Sequence, residues 1–241
     1  MSRLDDLIAF YQALARLEAR CGGKRLLRDS HGRTGWPRRG VYFFFEEGEP
    51  RQSTGVGPRV VRVGTHALAA RSSTTLWNRL AQHRGNADGK GGNHRGSIFR
   101  LLVGNALRQR DSLHGMESWG VGSDPGKAAA RMGQNRVDVL ERESKLEHAV
   151  SGIIGAMPVL WLEVDDPTGP GSLRGYIERN AIALLSNYGR NPLDTPSARW
   201  LGLFCDRERV RQSGLWNNNH VDETYDPNFV ARLEELIRDP Q

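Results

Sequence analysis

Arg79 and His83 are the two residues whose spacing most clearly favours chemistry. They are four positions apart in LWNRLAQH (Leu76–His83), a segment with helical signals, so their side chains project from one face of a predicted helix. A guanidinium is a planar fork of hydrogen-bond donors that suits a phosphate group. An imidazole can orient a neighbouring group or accept its proton. Taken alone, the pair is also compatible with an exposed arginine beside a helix-terminal histidine.

Two runs typical of β-strands come before this helix and carry the next candidates. GVYFFF (Gly40–Phe45) contains Tyr42, and RVVRVG (Arg59–Gly64) contains Arg62 shortly before its final glycine. Tyrosine in a strand is usually a core or rim aromatic. A chemical role for Tyr42 therefore depends on what the neighbouring elements place beside it.

The order of these three segments resembles the GIY-YIG nuclease family: a Gly-Val-Tyr strand, a second strand ending in glycine, and a helix that presents an arginine. The helix is similar to the Arg-Leu…His helix of the family's restriction-enzyme branch. The resemblance covers about 38–104 and 158–192. It implies hydrolysis of phosphodiester bonds, with Tyr42 as general base for the attacking water, Arg79 stabilising the developing phosphoryl charge, and His83 tuning Tyr42.

Arg62 is the position at which the sequence departs from the family pattern. It takes the place of the tyrosine of the second motif, so the run reads Arg-Val-Gly rather than Tyr-Ile-Gly. Some family members that are similar to restriction enzymes carry a cation there, and a guanidinium can hydrogen-bond Tyr42 or bind phosphate. We therefore include Arg62 among the catalytic candidates. The departure leaves a second hypothesis open, a catalytically silent GIY-YIG-like module that binds nucleic acid.

A single carboxylate is the metal ligand that the resemblance implies. Family members place one glutamate near the start of the helix after the third strand, and Glu178 follows the predicted strand at 159–164 in this way. One carboxylate, phosphate oxygens and waters suit Mg²⁺, with Mn²⁺ as the other candidate. The family also has an asparagine further along the chain, for which Asn191 is preferred to Asn187. Glu147 competes with Glu178, but it lies on a helix before the strand and is interpreted as part of a solvated helix face.

Two other patterns are typical of nucleases but lack their partners. Glu163–Asp166 (EVDD) ends a strand with acids, but no lysine follows at the required spacing. Asn217–His220 (NNNH) is similar to part of an HNH motif, but no upstream ββα pattern supplies a second histidine. An enzyme of different chemistry is supported poorly, since the sequence has no phosphate-binding glycine loop, dinucleotide fingerprint or Ser/Cys triad.

The basic residues favour a polyanionic partner. The formal net charge of +6 over 241 residues is a mild bias, but arginines cluster on both sides of the Tyr42 strand and the Arg79 helix. The predicted partner is nucleic acid, DNA before RNA, and a homodimer is a further option. The side chains predicted to contact nucleic acid are Arg38, Arg39, His66, Arg84, Arg95, Asn191 and Trp216.

Composition bounds the class of protein. Hydrophobic residues make up 38% of the chain, which is enough for a core, and no apolar run is long enough to span a bilayer. The first residues, MSRLDD, include acids where a signal peptide needs basic residues. The two cysteines make neither a disulfide framework nor a zinc motif. We expect a cytoplasmic protein without a membrane partner, and by analogy with decorated standalone nucleases a role in restriction or another defence process.

The alternation of helical and strand-like segments predicts an α+β fold with one small mixed three-stranded sheet flanked by helices. The predicted strands lie at 40–46, 59–64 and 159–164, with another short strand near 200–204. Residues 111–133 are interpreted as an insertion loop. We expect a single elaborated nuclease domain. Its predicted parts are an N-terminal helix at 1–23, a core at about 38–104 and 158–192, a helical insertion at 105–157 and a C-terminal extension at 193–241.

Overall fold

The computed structural model of the chain describes residues 2–87 and 91–238. The helices are α1 (Arg3–Cys21), α2 (Leu76–Arg84), α3 (Ile98–Arg110), α4 (Pro125–Met132), α5 (Arg136–Ala156), α6 (Leu173–Leu185), α7 (Glu208–Ser213) and α8 (Phe229–Arg238). The strands are β1 (Arg25–Leu26), β2 (Gly40–Pro50), β3 (Pro58–Gly64) and β4 (Pro158–Glu163). Short 3₁₀ turns lie at Leu27–Asp29, His94–Gly96 and Leu201–Phe204.

The four strands form one sheet in the order β1–β4–β2–β3. The α+β class expected from the sequence is confirmed, with two differences in detail. The sheet has four strands rather than three, because the two-residue strand β1 pairs with the start of β4. Every strand pair among the described residues is antiparallel, where a mixed sheet was expected.

The register of β2 and β3 places the candidate residues on one face of the sheet. Tyr42 lies opposite Gly64, and Phe44 lies opposite Arg62. Alternate residues of a strand share a face, so Tyr42 and Arg62 point to the same side. The register then shifts between Phe44 and Phe45, which leaves Val61 as an extra residue in β3. A bulge of this kind bends a strand and redirects its side chains.

Helices cover both faces of the sheet, and each face has its own core. The core on the face of α1, α6 and α8 includes Phe10, Phe43, Ile177 and Phe229. The core on the face of α2, α3 and α5 includes Tyr42, Phe44, Leu80 and Phe99. The candidate base and the helix of the candidate metal ligand therefore belong to opposite sides of the sheet.

The outer edge of β3 is covered by a segment from the C-terminal part of the chain. The backbone N–H of Trp216 donates to the carbonyl of Val61 at 2.7 Å. The side-chain amide of Asn217 accepts from the N–H of Val63 at 3.1 Å and donates to its carbonyl at 2.8 Å. These contacts satisfy backbone groups that an uncovered edge strand would leave unpaired.

Two segments differ from the prediction. Residues 111–133 are not only a loop, because α4 lies within them; Asp124 caps it, Pro125 begins it, and Gly133 ends it in the left-handed conformation with φ of 63°. The expected strand near 200–204 is a 3₁₀ turn at Leu201–Phe204. A short apolar run does not by its periodicity distinguish a strand from a buried turn.

The long helices are amphipathic or charged along their length. In α1, acids occupy the first turn and Arg20 the last, and α5 alternates charged with apolar residues over its first half. Across residues 2–87 and 91–238, the chain forms no helix that combines the length and the hydropathy required to cross a membrane.

Candidate active site

Helix α2 owes its position and rotation to its first turn. The Thr75 side chain accepts from the N–H of Asn78, and the side-chain oxygen of Asn78 accepts from the N–H of Thr75. This capping box fixes the start of the helix. His83 is thereby buried against the sheet, while Arg79 is half-buried at the rim. Its guanidinium donates to the side-chain oxygen of Gln82 at 3.0 Å and to the carbonyl of Gly96 at 3.3 Å.

Tyr42 lies flat across Gly64 and reaches α2. A Cβ atom added to Gly64 would be 2.2 Å from the Tyr42 hydroxyl oxygen, so only glycine leaves room for the ring. The hydroxyl forms a hydrogen bond of 2.7 Å with Nε2 of His83. Tyr42 is only 1% exposed, and His83 is fully buried. The pair thus forms a closed contact between β2 and α2.

His83 is a neutral histidine with both ring nitrogens engaged. Its Nδ1 is 2.7 Å from the hydroxyl of Ser97, the N-cap of α3. Burial lowers the pKa of His83 well below its ordinary value, and the charges of Arg79 and Arg62 lower it further. A neutral imidazole has one N–H and one lone pair, so it donates one of these two hydrogen bonds and accepts the other.

Arg62 places a cation inside the same cluster. Its guanidinium donates to the carbonyl of Trp216 and lies 4.7 Å above the ring of Phe99. Burial lowers the pKa of Arg62 below its ordinary value, while Tyr42 acts to raise it. Its Nε has no hydrogen-bond partner among the residues that the structure describes. The guanidinium is therefore tied to the C-terminal segment, and its charge lies beside Tyr42.

Glu178 reaches this region from the opposite side of the sheet. Helix α6 packs on the α1 face, but the carboxylate extends to the end of β3, where Oε1 accepts from the N–H of Thr65 at 3.2 Å. Burial raises the pKa of Glu178 above its ordinary value, against the opposing charges of Arg62, His220 and Arg79. Glu178 also lines an open cavity of about 720 Å³.

The surroundings of Glu178 fit a cation held by one carboxylate. Within residues 2–87 and 91–238, no group of three or more His, Cys, Asp or Glu side chains forms a metal cage. A carboxylate whose pKa is raised by burial carries a charge that its protein neighbours do not fully balance. Mg²⁺ binds to one or two carboxylates and keeps several waters, which this arrangement allows.

Glu147, the competing carboxylate, is not on a solvated helix face as expected. It is buried, and its oxygens accept from Nε of Arg100 at 3.0 Å and from the N–H of His94 at 2.6 Å. Arg100 also donates to the carbonyl of His83 at 3.0 Å. A carboxylate paired in this way supports the position of α2 and is not available as a metal ligand.

Side chains of the other two nuclease-like patterns are held by contacts within the fold. Asp166, in the acidic run after β4, forms an ion pair with the fully buried Arg174. Arg174 in turn donates to the carbonyl of His66 at 2.6 Å. In the NNNH segment, the amide of Asn217 belongs to the β3 edge, and His220 forms a hydrogen bond of 2.7 Å with Glu223.

Three of the predicted nucleic-acid contacts lie at the surface near α2 and the start of β2. Arg38 is exposed. Arg39 is half-buried and donates to the carbonyl of Asp166. Arg84 is half-buried, with its guanidinium 5.1 Å above the ring of Trp77. The positions of these three arginines do not test the predicted phosphate-binding surface, which stays a prediction.

Four other predicted contacts need correction. Arg95 forms two hydrogen bonds of 2.7 Å with Glu143 and is almost fully buried. Trp216 has no exposed surface and belongs to the core. His66 is buried with Nδ1 2.8 Å from the carbonyl of Thr74, and burial lowers its pKa to about 4. These three side chains are therefore not accessible to nucleic acid.

Asn191 is the fourth correction, for a different reason. It is exposed, but it lies beyond the C-terminal end of α6, where its carbonyl accepts from Arg3 of α1 at 2.9 Å. Asn187, the alternative, also contacts Arg3, at 3.0 Å. Among the described residues, neither asparagine forms a hydrogen bond with Glu178, and both are engaged by Arg3 instead.

The sequence did not point to several residues of the site, because their sequence signals indicate local structure and not chemistry. Ser97 precedes an apolar run and is a good N-cap, yet its second partner, His83, comes from another helix. The backbone of Thr65 follows Gly64 and carries no side-chain signal for its contact with Glu178. His220 was considered only as part of an HNH motif. Its position in the Glu178 cavity depends on the path of the C-terminal segment.

Comparison with known proteins gives one match. A family model described as a GIY-YIG domain matches residues 1–241. This span exceeds the two stretches over which the motifs were recognised. No curated protein and no solved structure matches the chain.

Proposed function

The chain belongs to the GIY-YIG domain family, and from this we propose that it is a divalent-metal-dependent endonuclease that hydrolyses phosphodiester bonds in DNA. The observation that carries the proposal is the 2.7 Å hydrogen bond between the Tyr42 hydroxyl and the neutral His83. Arg62 supplies a positive charge beside this pair. A phenol hydrogen-bonded to a neutral imidazole, with a cation beside them, can act in proton transfer from water.

In the proposed reaction, Tyr42 receives a proton from the attacking water. His83 holds the phenol in place, and when its Nε2 carries the lone pair it can take up the phenolic proton as the water loses its own. Arg79, half-buried at the rim, offers its fork of donors to the oxygens of the phosphoryl group. Arg62 stabilises the charge that develops there.

A divalent cation, Mg²⁺ or Mn²⁺, would be held by Glu178. When bound, such a cation polarises the phosphate and neutralises part of its charge. Glu178 is suited to this role by its partly desolvated carboxylate, and Thr65 fixes one of its oxygens.

The basic surface supports DNA as the substrate. Arg38, Arg39 and Arg84 lie around the start of β2 and the end of α2, beside the proposed centre. Contacts of this kind bind phosphates without reading the sequence. The arginine–histidine helix supports membership in the restriction-enzyme-like branch and a role in restriction or another defence process.

We further propose that the whole chain is one elaborated domain. The core on the α1 face includes Leu7 from α1, Val63 from β3 and Leu233 from α8, so it joins both ends of the chain. A homodimer remains part of the proposal, because palindromic DNA sites suit two-fold symmetric proteins.

One observation favours the alternative, a catalytically silent module that binds nucleic acid. Tyr42 is 1% exposed and Arg62 is 5% exposed, so attacking water must reach a nearly closed cluster. A silent module would keep the basic surface and bind DNA without cutting it.

Plasmid cleavage separates the two hypotheses. We expect the wild-type protein to nick or cut supercoiled DNA with Mg²⁺ or Mn²⁺ and to stop when EDTA is added. Tyr42→Phe and Glu178→Ala should each lower the rate about a hundredfold or more, because each removes a group that acts in the transition state. Tyr188→Phe is the matched control. DNA affinity should be similar in all four proteins, because phosphate contacts carry it. Binding without cleavage by the wild type, with any divalent metal, would establish the silent module.

A further inference from the structure

His220 stands in the same open cavity as Glu178, outside the Tyr42 cluster. The cavity is lined by Leu68, Ser172, Tyr176, Glu178, Arg179 and His220, among others. The His220 side chain is 33% exposed. It is therefore accessible to a ligand that also approaches Glu178.

The imidazole of His220 is oriented by a carboxylate. Its Nδ1 is 2.7 Å from Oε1 of Glu223, and the other Glu223 oxygen accepts from Arg179. Although burial acts to raise it, the pKa of Glu223 is lowered by its hydrogen bonds with His220 and Arg179, so it stays ionised. A carboxylate at one ring nitrogen fixes the ring and leaves the other nitrogen for chemistry. Nε2 of His220 has no hydrogen-bond partner in the described part of the chain.

The backbone at His220 is held in an unfavourable conformation. Its φ is 64°, in the left-handed region that costs most residues about 1 kcal/mol or more. Both flanking segments are anchored: Asn217 to β3, and the carbonyl of Val221 to the hydroxyl of Ser186 at 2.6 Å. Strain that the surrounding structure maintains in this way is frequent at functional sites.

His220 and the Tyr42 cluster approach Glu178 from different sides. Arg62 belongs with Tyr42 to the α2 face of the sheet, whereas His220 pairs with Glu223, a partner of Arg179 on α6. After Arg62, His220 is the strongest charge that opposes the raised pKa of Glu178. No hydrogen bond joins His220 to Glu178 within the ranges that the structure describes.

We propose that His220 is a further catalytic residue that contacts the leaving oxygen of the phosphodiester and gives it a proton. This inference rests on the proposed nuclease function. The water oxygen forms a new bond to phosphorus, and its proton goes to Tyr42, whose own phenolic proton passes to Nε2 of His83. The bond from phosphorus to the leaving oxygen breaks, and its electron pair stays on that oxygen, which takes the proton from Nε2 of His220. The attacking and leaving oxygens of such a displacement are roughly in line, on opposite sides of phosphorus.

The test variant is His220→Asn, chosen for the backbone at this position. Asparagine tolerates the left-handed region better than alanine does, so the substitution removes the imidazole and keeps the loop. His148→Asn, on the exposed face of α5, is the matched control. Glu223→Gln keeps an oxygen acceptor for Nδ1 and removes the charge. Circular dichroism and DNA affinity check that each variant is folded and binds.

The assay compares two DNA duplexes that contain the cleavage site mapped for the wild type. One is ordinary DNA, and the other has sulfur in place of the leaving oxygen, because a thiolate departs without a proton. We expect His220→Asn to lose about a hundredfold or more on ordinary DNA and to lose much less on the sulfur duplex. Glu223→Gln should show the same pattern to a smaller extent, and His148→Asn should match the wild type on both.

The outcomes separate this inference from the proposed function. If the wild type cuts and His220→Asn either cuts ordinary DNA normally or loses equally on both duplexes, the role of His220 is wrong and the nuclease proposal stands. If the wild type cuts no DNA with any divalent metal, the nuclease proposal fails and the inference fails with it.

Discussion

At the scale of single residues, Arg62 is the position at which this chain differs most from its family's motif. A tyrosine there would add a second phenol beside Tyr42. The arginine instead brings a positive charge, anchored by the carbonyl of Trp216 and stacked on Phe99. A guanidinium at this place can stabilise the negative charge that develops on a phosphoryl group.

Arg62 substitutions show whether this charge acts in catalysis or in binding. Arg62→Ala should lower the cleavage rate far more than DNA affinity, because the charge matters most as phosphoryl charge develops. Arg62→Lys should retain part of the rate, since it keeps the cation and loses the planar fork. Cleavage rates and salt-titrated affinities of both variants are the measurements. A weaker affinity with a salt slope reduced by about one unit, and no cleavage to measure, would assign Arg62 to backbone binding in a silent module.

Glu178 allows a prediction that does not depend on activity. Its pKa in the folded protein is above the ordinary value of 4.5, so the folded state favours the protonated form. The contribution of this group to stability is complete below the unfolded pKa and is lost as pH rises through the folded pKa. In EDTA at pH 8, Glu178→Gln should therefore melt at a higher temperature than the wild type, and the difference should shrink toward pH 4.

Added metal should reverse the order of the two melting temperatures, so that the wild type melts above Glu178→Gln. Mg²⁺ or Mn²⁺ should raise the melting temperature of the wild type, because a ligand that binds only the folded state stabilises it. Glu178→Gln should show little change. Thermal unfolding with and without metal measures both effects, and an equal rise in the two proteins would place the metal elsewhere.

At the scale of elements, the site depends on three residues that cap the N-terminal ends of helices. Thr75 fixes the start of α2, Ser97 fixes the start of α3 and holds His83, and Ser172 caps α6, which carries Glu178. Each was readable from the sequence as a cap before an apolar run. The contact between Ser97 and His83 was not readable, because it depends on how two helices cross.

Gly64 in β3 has no side chain, and this determines where the ring of Tyr42 in β2 can lie. Gly64→Ala should displace the Tyr42 ring, because the new methyl group would be 2.2 Å from its hydroxyl oxygen. Overpacking of this kind typically costs about 1–3 kcal/mol of unfolding free energy, and cleavage should fall with it.

Gly152→Ala, on the exposed side of α5 with no atom within 4 Å of the added methyl, is the control. It should stabilise the protein, by up to about 1 kcal/mol. Urea unfolding distinguishes the two, and equal stability of Gly64→Ala and wild type would show that Tyr42 is free to move.

At the scale of the whole molecule, the sequence predicted the positions of the three main strands and of the core helices better than it predicted the use of charge. Arg95 was predicted to contact nucleic acid at the surface, yet Arg95, Arg100 and Arg174 are each paired with a carboxylate in the interior. The partners of Arg95 and Arg100 lie 48 and 47 residues away along the chain, and spacing alone does not reveal such pairs. The net charge of +6 therefore suggests more solvent-exposed arginine side chains than the structure has.

The C-terminal extension was also underestimated, because its role is visible only in three dimensions. Its sequence predicted one short strand and one helix. In the structure, Trp216 fills the core and Asn217 covers β3, while Phe229 and Leu233 complete the core beside α1. The family match over residues 1–241 agrees with a fold that uses the whole chain.

The late position of Trp216 has a consequence for the synthesis of the protein. Domains assemble from the N-terminus as the ribosome releases the chain, but Arg62 is held by the carbonyl of Trp216, and β3 is covered by Asn217. The nascent chain can therefore form β2 and β3 before the cluster around Tyr42 and Arg62 is complete. A polypeptide whose translation stops before these residues lacks the anchor of Arg62, so the proposed active site would be incomplete in a truncated product.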